Sequence, residues 1–184
     1  MVTLATVGFG DVVAVHPWLR LAAPLQGLTG FALITAALTW FTQVYPPLAR
    51  RHDLAVRLQS LAEAGWDEEL PGLDGVAAAR VLDQVATDVS RVGVDLMAHS
   101  ESYYFQEQEP DLSLARRLPY AQQLVRTGES CRSAETRAAA AVLARSLDHL
   151  AERLRRNVLS AGSDTDTAGV FAAYAADHRR RRDR

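Results

Sequence analysis

The chain of 184 residues carries 20 arginines and no lysine against 22 acidic residues, for a net charge of −2. That length holds one ordinary domain, or a membrane segment with a smaller soluble part. The near-neutral balance, with no long basic stripe interleaved with aromatics, argues against a nucleic-acid partner, and the single cysteine, Cys131, excludes an intrachain disulfide and a cysteine-based metal cluster. The arginine and alanine bias suggests a GC-rich bacterial genome more than a mechanism.

The chain opens on an informative string, Thr6-Val7-Gly8-Phe9-Gly10-Asp11. A dehydrated K⁺ must be wrapped in oxygens, and rings of backbone carbonyls from several copies of one strand can take the place of its water. Successive carbonyls point the same way only if some residues adopt conformations that a side chain forbids, and Gly8 and Gly10 alternate with larger residues as that requires. On this reading Thr6 adds a hydroxyl at the inner end of the ion column, and Thr6, Val7, Gly8 and Phe9 supply the K⁺ ligands. Gly10 closes the filter, and Asp11 sits anionic at the outer mouth.

The longer run Thr3-Leu4-Ala5-Thr6-Val7-Gly8-Phe9-Gly10-Asp11 resembles the signature of the two-helix pore family of bacterial potassium channels. Phe9 stands where the family usually has tyrosine, an accepted variant. Ala5 replaces a common threonine, which touches the inner ion site and leaves the carbonyl rings intact. The resemblance covers roughly residues 1–57. It implies passive K⁺ conduction through a homotetramer in the inner or plasma membrane, with K⁺ as the permeant ion and no cofactor. It also implies an outer helix and a pore helix ahead of the filter. Residues 1–4 can supply only the last turn of a pore helix, so the sequence is expected to be an amino-terminal truncation, with an apolar helix and an amphipathic one encoded upstream in frame.

Behind the filter, residues 21–49 contain no charged residue. Roughly 20 apolar residues cross a bilayer core, and residues 21–45 as a helix reach about 37 Å. Arg50, Arg51, His52 and Arg57 follow this run, which places its carboxyl end in the cytoplasm and the filter outside. Trp18 and Tyr45 fall at opposite ends, at the level of the membrane interfaces. Gly27 and Gly30, after Pro24, are the candidate gating hinge, or alternatively small residues that admit a neighbouring helix. Thr35, Thr39, Thr42 and Gln43 either line an aqueous path or bond the helix's own carbonyls. Pro46-Pro47 is expected to interrupt the helix at its cytoplasmic exit.

From residue 50 the pattern is helical. Leu54, Leu58 and Leu61 mark a short amphipathic helix ending near Gly65, and the turn-rich residues 67–75 read as a connection. Ala78, Leu82, Val85, Val89, Val92 and Leu96 form one face of a long helix, and Leu143, Leu147, Leu150 and Leu154 form another. Residues 112–125 read as a shorter helix between them. No alternating strand pattern of convincing length is present, which argues against an α/β nucleotide-binding domain. Residues 53–111 hold thirteen acidic residues against three arginines, whereas residues 113–184 hold fourteen arginines against eight acidic residues, so the two halves are expected to attract. Asp95 and His99 share a helix face beside Ser100, yet an enzyme needs an activated nucleophile and an oxyanion site as well, and no enzyme is expected.

The expected organisation is therefore all-α. Residues 1–16 hold the end of a pore helix, the selectivity-filter loop and the outer mouth. Residues 17–49 form the transmembrane inner pore helix, residues 50–162 a cytoplasmic helical domain, and residues 163–184 a basic tail able to touch anionic membrane lipid. The rival reading is a membrane-anchored helical interaction or regulatory protein whose filter is a non-conducting relic.

Overall fold

A computed structural model of the chain describes residues 16–99, 113–157 and 165–182. It is all-α, with no strand among the described residues. By its contacts the chain divides into two units, Met1–Tyr45 and Pro46–Arg184.

The first helix, α1, runs from Pro17 to Glu63. The interruption expected at Pro46-Pro47 is not observed. Proline's fixed φ is compatible with a helix, and its cost falls on the preceding turn, where the Thr42 and Gln43 carbonyls lose the N–H groups that residues 46 and 47 would have offered. Beyond the prolines, Leu54, Ala55 and Leu58 are buried in the second unit, and this burial holds the chain helical past its weak point. Two residues past its end stands Gly65, whose φ of 65° is left-handed and whose N–H reaches the Ala62 carbonyl at 3.1 Å. Glycine takes that conformation without a side-chain penalty.

The expected connection after Gly65 is more ordered than a loop. Trp66–Glu69 forms a single helical turn, α2, and Leu70–Gly72 a 3₁₀ turn that buries Leu70. Asp67 fastens this segment: the Tyr120 hydroxyl and the Gln123 amide both donate to its carboxylate. Burial and the neighbouring Asp67 charge push the Tyr120 pKa up.

The next helix, α3, spans Gly75–Ala98 and starts at Asp74, whose side chain accepts the Ala77 N–H at 3.1 Å. Its periodic face, Ala78, Leu82, Val85, Val89, Val92 and Leu96, is buried along its whole length. It packs along α5, Ala134–Asn157, which buries Leu143, Leu147, Leu150 and Leu154 in return. Each such side chain contributes about 1.5–3 kcal/mol relative to exposure. Ser133 starts α5 by accepting the Thr136 N–H, while its hydroxyl donates to Glu135.

Helix α4, Leu114–Ser130, lies on α5 and outlasts the expected end at residue 125 by more than a turn. Within the segment read as a basic tail, Thr167–Arg182 forms helix α6, which contacts α4 and α5. Val170, Phe171 and Tyr174 of α6 are buried, and Tyr174 meets His178 edge-on with ring centroids 4.6 Å apart. The block of four arginines at 179–182 marked this segment as a tail and hid the short apolar stripe ahead of it. The second unit is thus one helical core assembled from the end of α1, the Leu70 turn and α3 to α6.

Candidate functional site

The filter string Thr6, Val7, Gly8, Phe9 and Gly10, with Asp11 at its mouth, lies outside the described residues. What is described of the first unit is the apolar helix behind it. Leu25, Leu28, Phe31, Leu33, Ile34, Leu38, Trp40 and Phe41 are all more than half exposed. At 100° per residue these positions spread around the whole circumference of α1. A helix apolar on every side is not the surface helix of a water-soluble domain; it needs lipid or neighbouring apolar helices around it. The segment from Pro24 is long and apolar enough to cross a membrane.

Gly27 and Gly30 both lie within unbroken helical structure. The hydroxyls along α1 turn inward to their own backbone. Thr29 donates to the Leu25 carbonyl at 2.9 Å, Thr39 to Thr35 at 2.8 Å and Thr42 to Thr39 at 2.9 Å. Thr39 and Thr42 thus bond the helix's own carbonyls, one of the two uses open to them. Phe41 and Tyr45, one turn apart, stack with centroids 6.2 Å apart near the end of the apolar run.

A second constellation lies in the Pro46–Arg184 unit. Arg50 grips Asp95 with two parallel bonds, Nε to Oδ2 at 2.7 Å and Nη2 to Oδ1 at 2.8 Å. This is the bidentate geometry for which guanidinium and carboxylate are matched. Two helical turns along α1, Arg57 pairs with Asp88 at 3.1 Å, and Arg91 shares the same carboxylate at 3.6 Å. The arginines stand seven residues apart on α1 and the aspartates seven apart on α3, in opposite chain direction, so the end of α1 and α3 run antiparallel with two ionic rungs about 10.5 Å apart.

Open troughs flank these rungs. One of about 700 Å³ is lined by Arg50, Thr87, Ser90, Asp95 and Ser146, where the Ser90 hydroxyl donates to Ser146 at 3.1 Å. The other, about 620 Å³, is lined by Arg50, Arg57, Ser60, Gln84 and Asp88. The sequence reading placed Asp95 beside His99 and missed its pairing with Arg50. The matched seven-residue spacings of basic and acidic positions were the signal available. No group of three or more metal-ligating side chains occurs among the described residues.

Residues 1–45 match the family model of an ion channel, a stretch that includes the filter string and most of the apolar run. No curated protein and no solved structure matches the chain.

Proposed function

We propose, on the premise of that ion-channel match, that this chain is a pore-forming subunit that conducts K⁺ passively across the inner or plasma membrane. The observation that carries the reading is a coincidence of position. Thr6-Val7-Gly8-Phe9-Gly10-Asp11 falls inside the matched residues and is followed directly by a helix apolar on every face.

The mechanism follows from the oxygens of the string. Copies of the chain arranged around one axis present the carbonyls of Thr6, Val7, Gly8 and Phe9, with the Thr6 hydroxyl, as stacked rings that replace the hydration shell of K⁺. Gly8 and Gly10 permit the backbone turns, and the Asp11 carboxylate raises the local cation concentration at the mouth. Four copies make the simplest ring. The arginines that follow the apolar run set the carboxyl end in the cytoplasm, and Gly27 with Gly30 is the place where the helix bends on opening.

The test is K⁺ flux into liposomes containing the protein expressed from its complete reading frame, measured against Na⁺. Selective flux that disappears in Gly8→Ala supports the reading. Flux that is absent, or indifferent to that substitution, returns the chain to a membrane-anchored helical interaction protein.

A further inference from the structure

We propose that one face of α1, carrying Thr35, Thr39 and Thr42, is the face turned to the ion path, and that its hydroxyl oxygens, with the Thr42 carbonyl that Pro46 leaves free, hold a hydrated K⁺ on its way to or from the filter. The proposal rests on the channel reading. Its structural grounds lie within one continuous helix.

The first observation is an asymmetry around the helix axis. At about 100° per residue, Thr35, Thr39 and Thr42 fall within an arc of roughly 60°, and Pro46 falls in the same arc. All four are exposed. Between Ala32 and Pro46 the large apolar side chains Leu33, Ile34, Leu38, Trp40, Phe41 and Tyr45 all point elsewhere. Nearer the start of α1, Leu28 occupies the direction of the threonines, so the polar arc belongs to the carboxyl-terminal half of the apolar run alone.

The second observation is the direction of the hydrogen bonds. Thr39 and Thr42 donate their hydroxyl hydrogens to the Thr35 and Thr39 carbonyls, at 2.8 and 2.9 Å. A hydroxyl has one hydrogen and two lone pairs, so what each leaves for its surroundings is an acceptor. The third observation is the Thr42 carbonyl. Its helical partner would be the N–H of residue 46, which proline lacks, and the carbonyl points along the axis toward that residue and so opens on the same arc.

The arc therefore presents oxygens that accept and have no hydrogen to give. Lipid tails donate nothing to them, and an unsatisfied acceptor in hydrocarbon is costly. Water satisfies them, and so does a cation, whose hydration shell oxygen dipoles of this kind replace or supplement. Copies of the chain around one axis turn the arc into a ring that attracts cations without itself carrying charge.

The experiment uses the protein expressed from its complete reading frame, in liposomes, and reads two quantities. The first is reaction with a charged, membrane-impermeant thiol reagent supplied on both sides of the bilayer, each modified site being identified by peptide mass. Thr35→Cys, Thr39→Cys and Thr42→Cys are expected to react about tenfold faster than Leu33→Cys, Trp40→Cys and Phe41→Cys, which stand at similar positions along the helix and point away from the arc. The second quantity is K⁺ flux in Thr42→Val, which removes the hydroxyl, and in Pro46→Ala, which gives the Thr42 carbonyl its N–H back. Each is expected to lower flux about threefold at low K⁺ and to match the original at saturating K⁺, as for a weakened ion-binding step. Equal reactivity on both faces overturns the assigned face, and unchanged flux at low K⁺ in both variants overturns the ion-holding role. Absence of flux from the unsubstituted chain overturns the channel reading and that role together. Selective flux without preferential labelling of the threonine positions overturns this inference alone.

Discussion

Gly128 of α4 lies so close to Ala140 of α5 that a Cβ on the glycine would sit 2.8 Å from the alanine Cβ, and 3.2 Å from Cδ1 of Leu82 on α3. Three helices therefore converge on a position that tolerates only a hydrogen atom. The Ala140 Cβ is fixed directly to its backbone and cannot swing aside as the far end of a longer side chain does.

Gly128→Ala is accordingly expected to destabilise the helical domain by about 1–3 kcal/mol through overpacking, even though alanine is the better helix former by about 1 kcal/mol. Urea unfolding of the full chain in detergent, followed by circular dichroism, measures the change. An increase in the unfolding midpoint would mean that α4 and α5 separate readily at this point.

Asp74→Ala removes the acceptor for the Ala77 N–H at the start of α3. The expected loss is about 1 kcal/mol, with Asp74→Asn close to the original because asparagine caps almost equally well. Comparing the three proteins by denaturant midpoint separates the cap from any general effect of losing a charge.

The Phe171 side chain of α6 is 1% exposed. Phe171→Ala should cost roughly 3–5 kcal/mol, as for a large aromatic removed from a core. Proteolysis in the same variant should begin within residues 165–182. A neutral outcome would mean that α6 adds nothing to the core and behaves as a solvated tail.

Tyr120 supplies a pH dependence. Its folded pKa is raised above the ordinary value of 10.0, first by burial and then by the Asp67 charge and hydrogen bond. The unfolded chain therefore ionises this tyrosine at lower pH than the folded chain. The resulting contribution to stability is complete below about pH 10 and is lost progressively as pH rises from there toward the folded pKa. Tyr120→Phe should flatten the alkaline limb of a stability-against-pH curve and leave its neutral region changed only by the lost hydrogen bond, about 1 kcal/mol. A curve of identical steepness in both proteins would contradict this.

The helical class was legible because its signals are periodic. Ala78 to Leu96 and Leu143 to Leu154 recur at spacings of three and four, and all these positions are buried. The uncharged run was equally plain, since charge is what a spanning helix cannot carry at low cost. Features that rest on pairs distant in sequence were not legible. Arg50 and Asp95 lie 45 residues apart, and only the matched seven-residue spacings, Arg50 to Arg57 and Asp88 to Asp95, connect them. The expected attraction between the acidic and basic halves was a statement about totals, whereas the α1–α3 ion pairs are set by which faces the apolar cores turn toward each other. Leu70 was absorbed into a connection because two leucines, Leu70 and Leu73, among acidic and turn-forming residues make too short a run to show a period. The continuity through Pro46-Pro47 was missed for a related reason: local propensity opposes it, and only the burial of Leu54 and Leu58 farther along supplies the compensation.

The equal seven-residue separation on α1 and α3 makes chain length itself a constraint. Inserting one residue between Arg50 and Arg57 would rotate the two guanidiniums about 100° relative to each other, and no side-chain flexibility would let both reach their aspartates. Inserting seven would restore the facing to within about 20°, but would carry one arginine some 10 Å past its aspartate. The stretch from 50 to 57 is therefore intolerant of insertions and deletions while remaining permissive toward substitution at its outward-facing positions, Asp53 and Val56. Neither composition nor hydropathy of the segment discloses that restriction on length.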